Sequence, residues 1–188
     1  MEKKQLSLPL KPEELETLRA GQQVELTGLI YTARDAAHKK IYDLLSQQET
    51  VPFTLENAFI YYVGPTPAKP NQVIGSAGPT TSSRMDKYTP LLLEHGLKGM
   101  IGKGYRNEEV KESIKRNKVV YLAAIGGTGA LLSTAIREAE VVAFPELGPE
   151  AVYRLTVEHF PATVIIDSLG NDWYIQAREK FQQERSTL

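Results

Sequence analysis

A continuous apolar run, KVVYLAAIGG at residues 118–127, constrains the fold of this chain more than any other segment. A strand that is apolar on both faces is typical of a sheet that helices cover on both sides. Segments with the apolar spacing of helices flank the run, NEEVKESIKRN before it and GALLSTAIREA after it. This alternation predicts an α/β fold.

The remaining segments supply further strands and helices. Strands are predicted at QVELTGLIYTAR, NAFIYYVGP, VIGSAGP, KGMIGKG and EVVAF, and three strand-like runs with a DSLGND hairpin turn follow at residues 153–176. Helices are predicted at KPEELETLRAG, at RDAAHKKIYDLLSQQ with Asp35 as N-cap, from Met85 to His95, and at the charged C-terminus. No repeat or linker divides this pattern. We therefore predict one domain over residues 1–188, a mixed sheet with flanking helices.

Charge and hydropathy argue against two classes of function. The chain has 22 basic and 23 acidic residues, a formal net charge of -1, whereas a nucleic-acid binder carries a basic excess. No apolar run approaches the roughly 20 residues that span a bilayer. The N-terminal MEKKQLSLPLKPEELE lacks the apolar core of a secretory signal, so we expect a mature sequence and a cytoplasmic protein.

The sequence contains no cysteine, and its three histidines are His38, His95 and His159. Disulfides, thiolate metal sites and cysteine nucleophiles are therefore excluded. Three histidines far apart in the chain also make a self-contained zinc site difficult to assemble. Any metal chemistry would need ligands from another chain.

Three predicted strand ends each carry a cation: TARDAAHKK has Arg34, GPTTSSRMD has Arg84 and GMIGKGYR has Lys103. Open α/β sheets bind their ligands at such ends. The second segment adds hydroxyl groups and the free backbone amides of a helix start, which favour an anion. Three cations fit a small dianion or polyanion better than a neutral ligand, and an arginine pairs with a carboxylate in bidentate fashion.

Structural interpretations of the same residues stay open. Ser83 or Thr81 is a candidate helix cap, and Ser83 is the better one. Arg34 could pair with a surface acid, and His38 fits a helix-face histidine as well as a base. The segment AIGGTGALL is similar to a dinucleotide-binding turn, but it lacks the full glycine fingerprint and a downstream acid. The residues alone predict a one-domain α/β protein with a candidate anion site.

Four long segments, ARDAAHKK, YYVGPTPAKP, GSAGPTTSSRMDKYTPLLLEHGLKGMIGKG and VVAFPELGPEAVYRLTVEHFPATVIID, resemble the β subunit or C-terminal domain of class I iron–sulfur fumarate hydratases. The related L-tartrate dehydratase β subunits share the pattern, although the first two segments look more like fumarase. The resemblance covers nearly the whole chain. It implies a swivelling β/β/α domain, one half of a hydro-lyase that is active only with its α subunit, in an α2β2 assembly.

The resemblance also implies the reaction and the cofactor. The reaction is the reversible hydration of fumarate to (S)-malate. The α subunit carries a four-iron, four-sulfur cluster on three cysteines, and the open fourth iron acts as a Lewis acid. This chain itself then binds no metal, which accounts for the missing cysteines.

Matching positions imply roles for individual residues. Thr80 is the implied catalytic base, and the implied substrate-binding residues are Arg34, Thr81, Arg84 and Lys103. Thr81 would donate a hydrogen bond to the dicarboxylate substrate.

Two further positions, Asp35 and His38, also match the family and fit a supporting role as well as direct contact. Two alternatives stay open for the whole chain. One is the β subunit of an L-tartrate dehydratase or of another hydroxy-diacid hydro-lyase. The other, from a different class, is a non-catalytic anion-binding module.

Overall fold

The computed structural model describes residues 2–124 and 129–186. In this part of the chain, seven strands form one mixed sheet in the order β1-β2-β3-β4-β5-β7-β6. Strands β1 to β5 run parallel to one another, and β7 runs antiparallel to β2, β5 and β6, with which it pairs. The strands are β1 Lys4–Ser7, β2 Gln23–Thr32, β3 Phe59–Tyr61, β4 Gly99–Gly102, β5 Val120–Ala124, β6 Ile136–Ala143 and β7 Val152–Ile166.

The long strand β7 closes the sheet on itself. One side of β7 pairs with β2, from Arg154 opposite Tyr31 to Thr163 opposite Gln23. Its other side pairs with β5 at one end and with β6 at the other. Because β2, β3, β4 and β5 are already joined in that order, the hydrogen bonds run around a closed ring. Strands β1 and β6 lie outside the closed ring, where β1 pairs with β2 and β6 pairs with β7.

A bulge in β7 keeps its apolar side chains on the inner face. Leu155 and Val157 face the interior, and after the bulge Phe160 and Ala162 do so. His159 has a φ of 52°, and the strand's register with β2 shifts at the same level. One extra residue exchanges the two faces of a strand, so the bulge accounts for the change from odd to even positions.

The helices lie outside this ring or beside its ends. Ile41 of α2, Leu92 of α3 and Ile114 of α4 are buried in one apolar cluster with Ile60 and Met100 of the sheet. The helices are α1 Pro12–Thr17, α2 Asp35–Ser46, α3 Thr89–Glu94, α4 Glu108–Asn117, α5 Gly129–Ser133 and α6 Trp173–Ser186, with 3-10 helices at Ser82–Met85 and Pro145–Glu150. Among the described helices, none has the length and apolar character that crossing a membrane requires. The predicted α/β class with a mixed sheet and flanking helices is confirmed.

Four predicted elements differ from the structure. The helix predicted from Met85 to His95 begins only at Thr89, after the 3-10 helix Ser82–Met85. VIGSAGP forms no strand, because this segment bonds back to the preceding loop: the Ser76 amide donates to Thr66 Oγ1 at 2.8 Å. The helix predicted at GALLSTAIREA ends at Ser133, and β6 starts at Ile136, where pairing with β7 outweighs helix propensity. The strand-like runs before the DSLGND turn form one strand, β7, and the run after the turn, WYIQ, begins the helix α6 instead. AIGGTGALL includes residues 125–128, which lie outside the described residues.

Candidate functional site

The C-terminal ends of β2, β3 and β4 lie side by side, because the three strands are adjacent and parallel. The segment between β3 and the first 3-10 helix returns to this edge. There the Thr80 amide donates to the Tyr62 carbonyl at 2.7 Å, and Thr81 forms a parallel bridge with Lys103. The structure thus brings the ends of the three predicted segments together.

The arginines at this edge are already paired with carboxylates. Arg84 binds Asp35 through two nitrogens, with Nε 3.0 Å from Oδ1 and Nη2 2.8 Å from Oδ2. Arg34 Nε lies 3.3 Å from Glu150 Oε1 and 3.8 Å from Asp35 Oδ2. Asp35 therefore keeps two arginines close to each other and offsets their mutual repulsion.

Lys103 differs from both arginines. Its side chain is exposed, and no carboxylate of the described residues forms an ion pair with its ammonium group. Thr81 is also exposed, Thr80 is half-buried, and the Arg84 side chain is 51% exposed. The predicted residues thus line a surface that is open to solvent.

The capping predictions for Asp35 and for Ser83 are wrong. Arg34, not Asp35, is the N-cap residue of α2, and the Asp35 carboxylate turns to Arg84 instead of to the helix amides. Thr81, not Ser83, precedes the 3-10 helix, and no side chain caps that helix. The hydroxyl that matters here is that of the buried Ser82, whose Oγ accepts a hydrogen bond from the Lys103 amide at 3.0 Å.

Arg106 is a buried cation next to the site that the sequence pattern did not single out. Its side chain is 0% exposed, and its Nε donates to Asp86 Oδ1 at 2.6 Å. Nη2 donates to Thr89 Oγ1 at 2.8 Å and lies 3.3 Å from the Tyr62 hydroxyl. The rings of Tyr62 and Tyr121 lie 5.3 and 4.9 Å from its guanidinium carbon. The sequence offered two signals of this ion pair, the single acid Asp86 in GPTTSSRMD and the second cation Arg106 in GMIGKGYR.

His38 lies in the first turn of α2, and its side chain is buried behind the exposed edge. Its Nδ1 is 2.8 Å from the Arg34 carbonyl oxygen, which can only accept, so Nδ1 carries the proton of the neutral ring. Burial, with a smaller contribution from the charge of Arg106, lowers the pKa of His38 to about 4, and the hydrogen bond to the Arg34 carbonyl acts in the opposite direction. His38 therefore supports Arg34 as a neutral side chain.

The described residues do not fit an iron–sulfur cluster. No group of three or more histidine, aspartate or glutamate side chains in this part of the chain could hold a metal ion. The whole sequence lacks cysteine, the residue whose thiolates hold such clusters.

A family model described as "Fumarase C-terminus" matches residues 1–177. The chain belongs to this family. The predicted resemblance is confirmed, and relatives that match this chain carry fumarate hydratase and tartrate dehydratase names.

Relatives within the family differ in length. The chain is 37% identical over 179 residues to "Fumarate hydratase class I, anaerobic" of Escherichia coli, covering 93% of this chain and 33% of the relative. It is 39% identical over 164 residues to "Fumarate hydratase 2" of Leishmania major, covering 86% and 29%. The chain thus spans about a third of these relatives. It is 39% identical to "Putative L(+)-tartrate dehydratase subunit beta" of Methanocaldococcus jannaschii over 185 residues, 95% of each.

Removing the buried cation should destabilise the fold. We expect Arg106→Met to lower the free energy of unfolding by about 3–5 kcal/mol, because Asp86 would be left buried without its partner. Urea denaturation followed by circular dichroism measures this loss. Arg116→Met is the matched control, since Arg116 pairs with Glu94 on the surface, and a change within about 0.5 kcal/mol is expected there. Equal losses in the two variants would contradict a structural role for the Asp86–Arg106 pair.

His38 should make stability depend on pH. Its pKa falls from an ordinary 6.5 to about 4 on folding, so only the unfolded chain takes up a proton between these values. Stability is therefore full above pH 6.5 and declines as the pH falls to 4, by up to about 3 kcal/mol.

Urea denaturation between pH 4 and 7 tests this dependence. His38→Gln removes the titrating ring and should flatten the slope. The matched control is His95→Gln, because His95 Nδ1 also lies 2.8 Å from a carbonyl four residues earlier but the side chain is exposed. An unchanged slope in His38→Gln would show that other groups cause the decline.

Proposed function

We propose that this chain is the β subunit of a two-subunit class I iron–sulfur fumarate hydratase, with residues 1–188 as one domain. In this proposal the enzyme reversibly hydrates fumarate to (S)-malate. The observation that carries it is the meeting of Thr80, Thr81, Arg84 and Lys103 at one edge of the sheet, with Arg34 next to Asp35 behind Arg84. Hydroxyl groups beside cations suit a dicarboxylate.

The open surface supports a second polypeptide. Arg84 and Lys103 face solvent, where the charge interactions of a substrate are weak because water screens them. A partner that covers this edge would exclude water and strengthen the interactions. We place that partner as the α subunit of an α2β2 assembly in the cytoplasm, with this domain swivelling against it.

The cofactor belongs to the partner in this proposal. The described residues do not fit an iron–sulfur cluster, and the sequence has no cysteine. We therefore place the four-iron, four-sulfur cluster on the α subunit.

Two cations divide the task of binding carboxylates. The Nε and Nη2 atoms of Arg84 are held by Asp35, so the guanidinium offers its Nη1 side to a substrate. Lys103 has no such counter-ion among the described residues and offers its whole ammonium group. We propose that these two residues bind the substrate carboxylates and that Arg34 adds positive potential behind Arg84.

Thr80 is the proposed base. In the direction of dehydration, Thr80 acts as its alkoxide after passing its own hydroxyl proton to solvent. The C3–H bond of malate then breaks, Thr80 Oγ takes that proton, and the electron pair forms the double bond as hydroxide leaves C2. A threonine hydroxyl is a weak base unless its alkoxide is stabilised. The neighbouring cations Lys103 and Arg84 supply that stabilisation, together with the charge that develops on the adjacent carboxylate. The backbone bond from Thr80 to Tyr62 fixes the segment that carries the base.

Reconstitution tests the proposed function. The isolated chain should show no hydratase activity, and activity should appear when it is combined anaerobically with a cysteine-bearing partner. Full activity of the isolated chain without metal would overturn the proposal. Calorimetry that found tight phosphate or nucleotide binding and no dicarboxylate binding would instead support a non-catalytic anion-binding module.

Replacing the proposed base should remove turnover and spare binding. In the reconstituted enzyme, Thr80→Ala is expected to lower kcat about 10²- to 10⁴-fold with little change in KM, as for loss of a general base. Arg84→Ala should impair both constants. Ser83→Ala is the matched control, because Ser83 is an exposed hydroxyl in the same segment, and its kcat should stay near wild type. Wild-type kcat in Thr80→Ala would remove Thr80 as the base.

One observation favours a second substrate. The relative that this chain matches over 95% of both lengths carries an L(+)-tartrate dehydratase name. Tartrate and malate are both hydroxy-diacids, so the cations named above serve either one. Rates of the reconstituted enzyme with (S)-malate and with L-tartrate decide between them. Faster turnover of tartrate would replace fumarate hydratase with tartrate dehydratase.

A further inference from the structure

We infer that Ser82 and Tyr121 are positioning residues that hold Lys103 in place for its substrate. Lys103 lies just beyond the end of β4, with its side chain in solvent. Ser82 and Tyr121 are both 0% exposed and lie beneath it, so neither can touch a substrate. We call their hydroxyl pair the Ser82–Tyr121 clamp. The role of Lys103 rests on the proposed function, whereas the contacts of the clamp do not.

Ser82 binds the backbone of Lys103 in both directions. The Ser82 amide donates to the Lys103 carbonyl at 2.9 Å, and the Lys103 amide donates to Ser82 Oγ at 3.0 Å. A side-chain hydroxyl thus takes the place that a backbone carbonyl would fill in a longer β-ladder. The segment of Thr80 and Arg84 is thereby joined to the segment of Lys103.

Tyr121 extends this connection beyond Lys103. Its hydroxyl oxygen lies 2.7 Å from the Gly104 carbonyl oxygen and 2.9 Å from Ser82 Oγ. A carbonyl only accepts, so the single hydroxyl proton of Tyr121 goes to Gly104, and Ser82 must donate to Tyr121. Burial raises the pKa of Tyr121, which keeps that proton in place. The bonds therefore run from the Lys103 amide through Ser82 and Tyr121 to the Gly104 carbonyl.

Two glycines leave the space and the backbone conformation that the Ser82–Tyr121 clamp requires. A Cβ atom at position 102 would lie 2.0 Å from Ser82 Oγ, so only glycine leaves room for the hydroxyl. Gly104 has a φ of 83°, a conformation that side chains disfavour, and it turns the chain directly after Lys103. The backbone is thus held on both sides of Lys103, which leaves only the side-chain torsions of that lysine free.

Amide hydrogen exchange on the full chain tests the clamp without any assay of activity. Ser82→Ala removes the acceptor of the Lys103 amide, so we expect exchange at Lys103 to rise about tenfold or more. Tyr121→Phe keeps the ring and deletes the hydroxyl, and it should raise exchange at the same amide. Ser113→Ala is the matched control, because Ser113 is an equally buried hydroxyl in α4, and Lys103 exchange should not change. Unchanged exchange at Lys103 in Ser82→Ala would overturn the inference.

Kinetics of the reconstituted enzyme test the consequence for substrate binding. Tyr121→Phe should raise KM for the dicarboxylate about tenfold and leave kcat within about twofold, as for loss of a binding interaction. A variant that was merely less folded would lose kcat at an unchanged KM, and that outcome would overturn the positioning role. The two tests separate the clamp from the proposed function. If Ser82→Ala raises exchange at Lys103 but the wild-type chain with its partner shows no hydratase activity, the proposed function is wrong and the clamp is still supported.

Discussion

The buried ion pair between Asp86 and Arg106 holds the segment that carries the candidate site. Asp86 follows the 3-10 helix that contains Arg84, and Arg106 follows Lys103 by three residues. The Asp86 carboxylate also accepts the Asn107 amide at 2.9 Å, where α4 begins. A buried charge without its partner is very costly, so the two segments stay joined whenever the chain is folded. The ion pair therefore helps to fix the segment of Thr80 and Arg84 relative to the segment of Lys103.

The charges at the exposed edge are more balanced than three cations would suggest. Asp35 and Glu150 accompany Arg84 and Arg34, so the local excess of positive charge rests largely on Lys103. A dianion bound here would then meet one free cation and the unpaired side of an arginine. This distribution leaves Lys103 as the cation at this edge whose charge is least compensated by carboxylates of the described residues.

The sequence predicted the proximity of Arg34 and Lys103 because parallel strand ends share one edge of a sheet. Arg84 follows no strand, and its segment reaches this edge through the bridge between Thr81 and Lys103. The sequence could not predict the pairing of Arg84 with Asp35, because it depends on how the first 3-10 helix approaches the start of α2, 49 residues earlier in the chain. Burial of Arg106 was missed for the same reason, since an arginine in a polar loop is usually exposed. The predicted ends of helices and strands are wrong where pairing between distant segments determines the structure. The start of β6 at Ile136, which pairs with β7, is one such place.

The most direct measurement is a crystal structure of this chain with its cysteine-bearing partner and a bound dicarboxylate. We expect carboxylate oxygens within hydrogen-bonding distance of Lys103 Nζ and of the Arg84 guanidinium. We also expect Thr80 Oγ to face the carbon that exchanges a proton. A dicarboxylate bound elsewhere, with these three side chains still facing solvent, would contradict the proposed site.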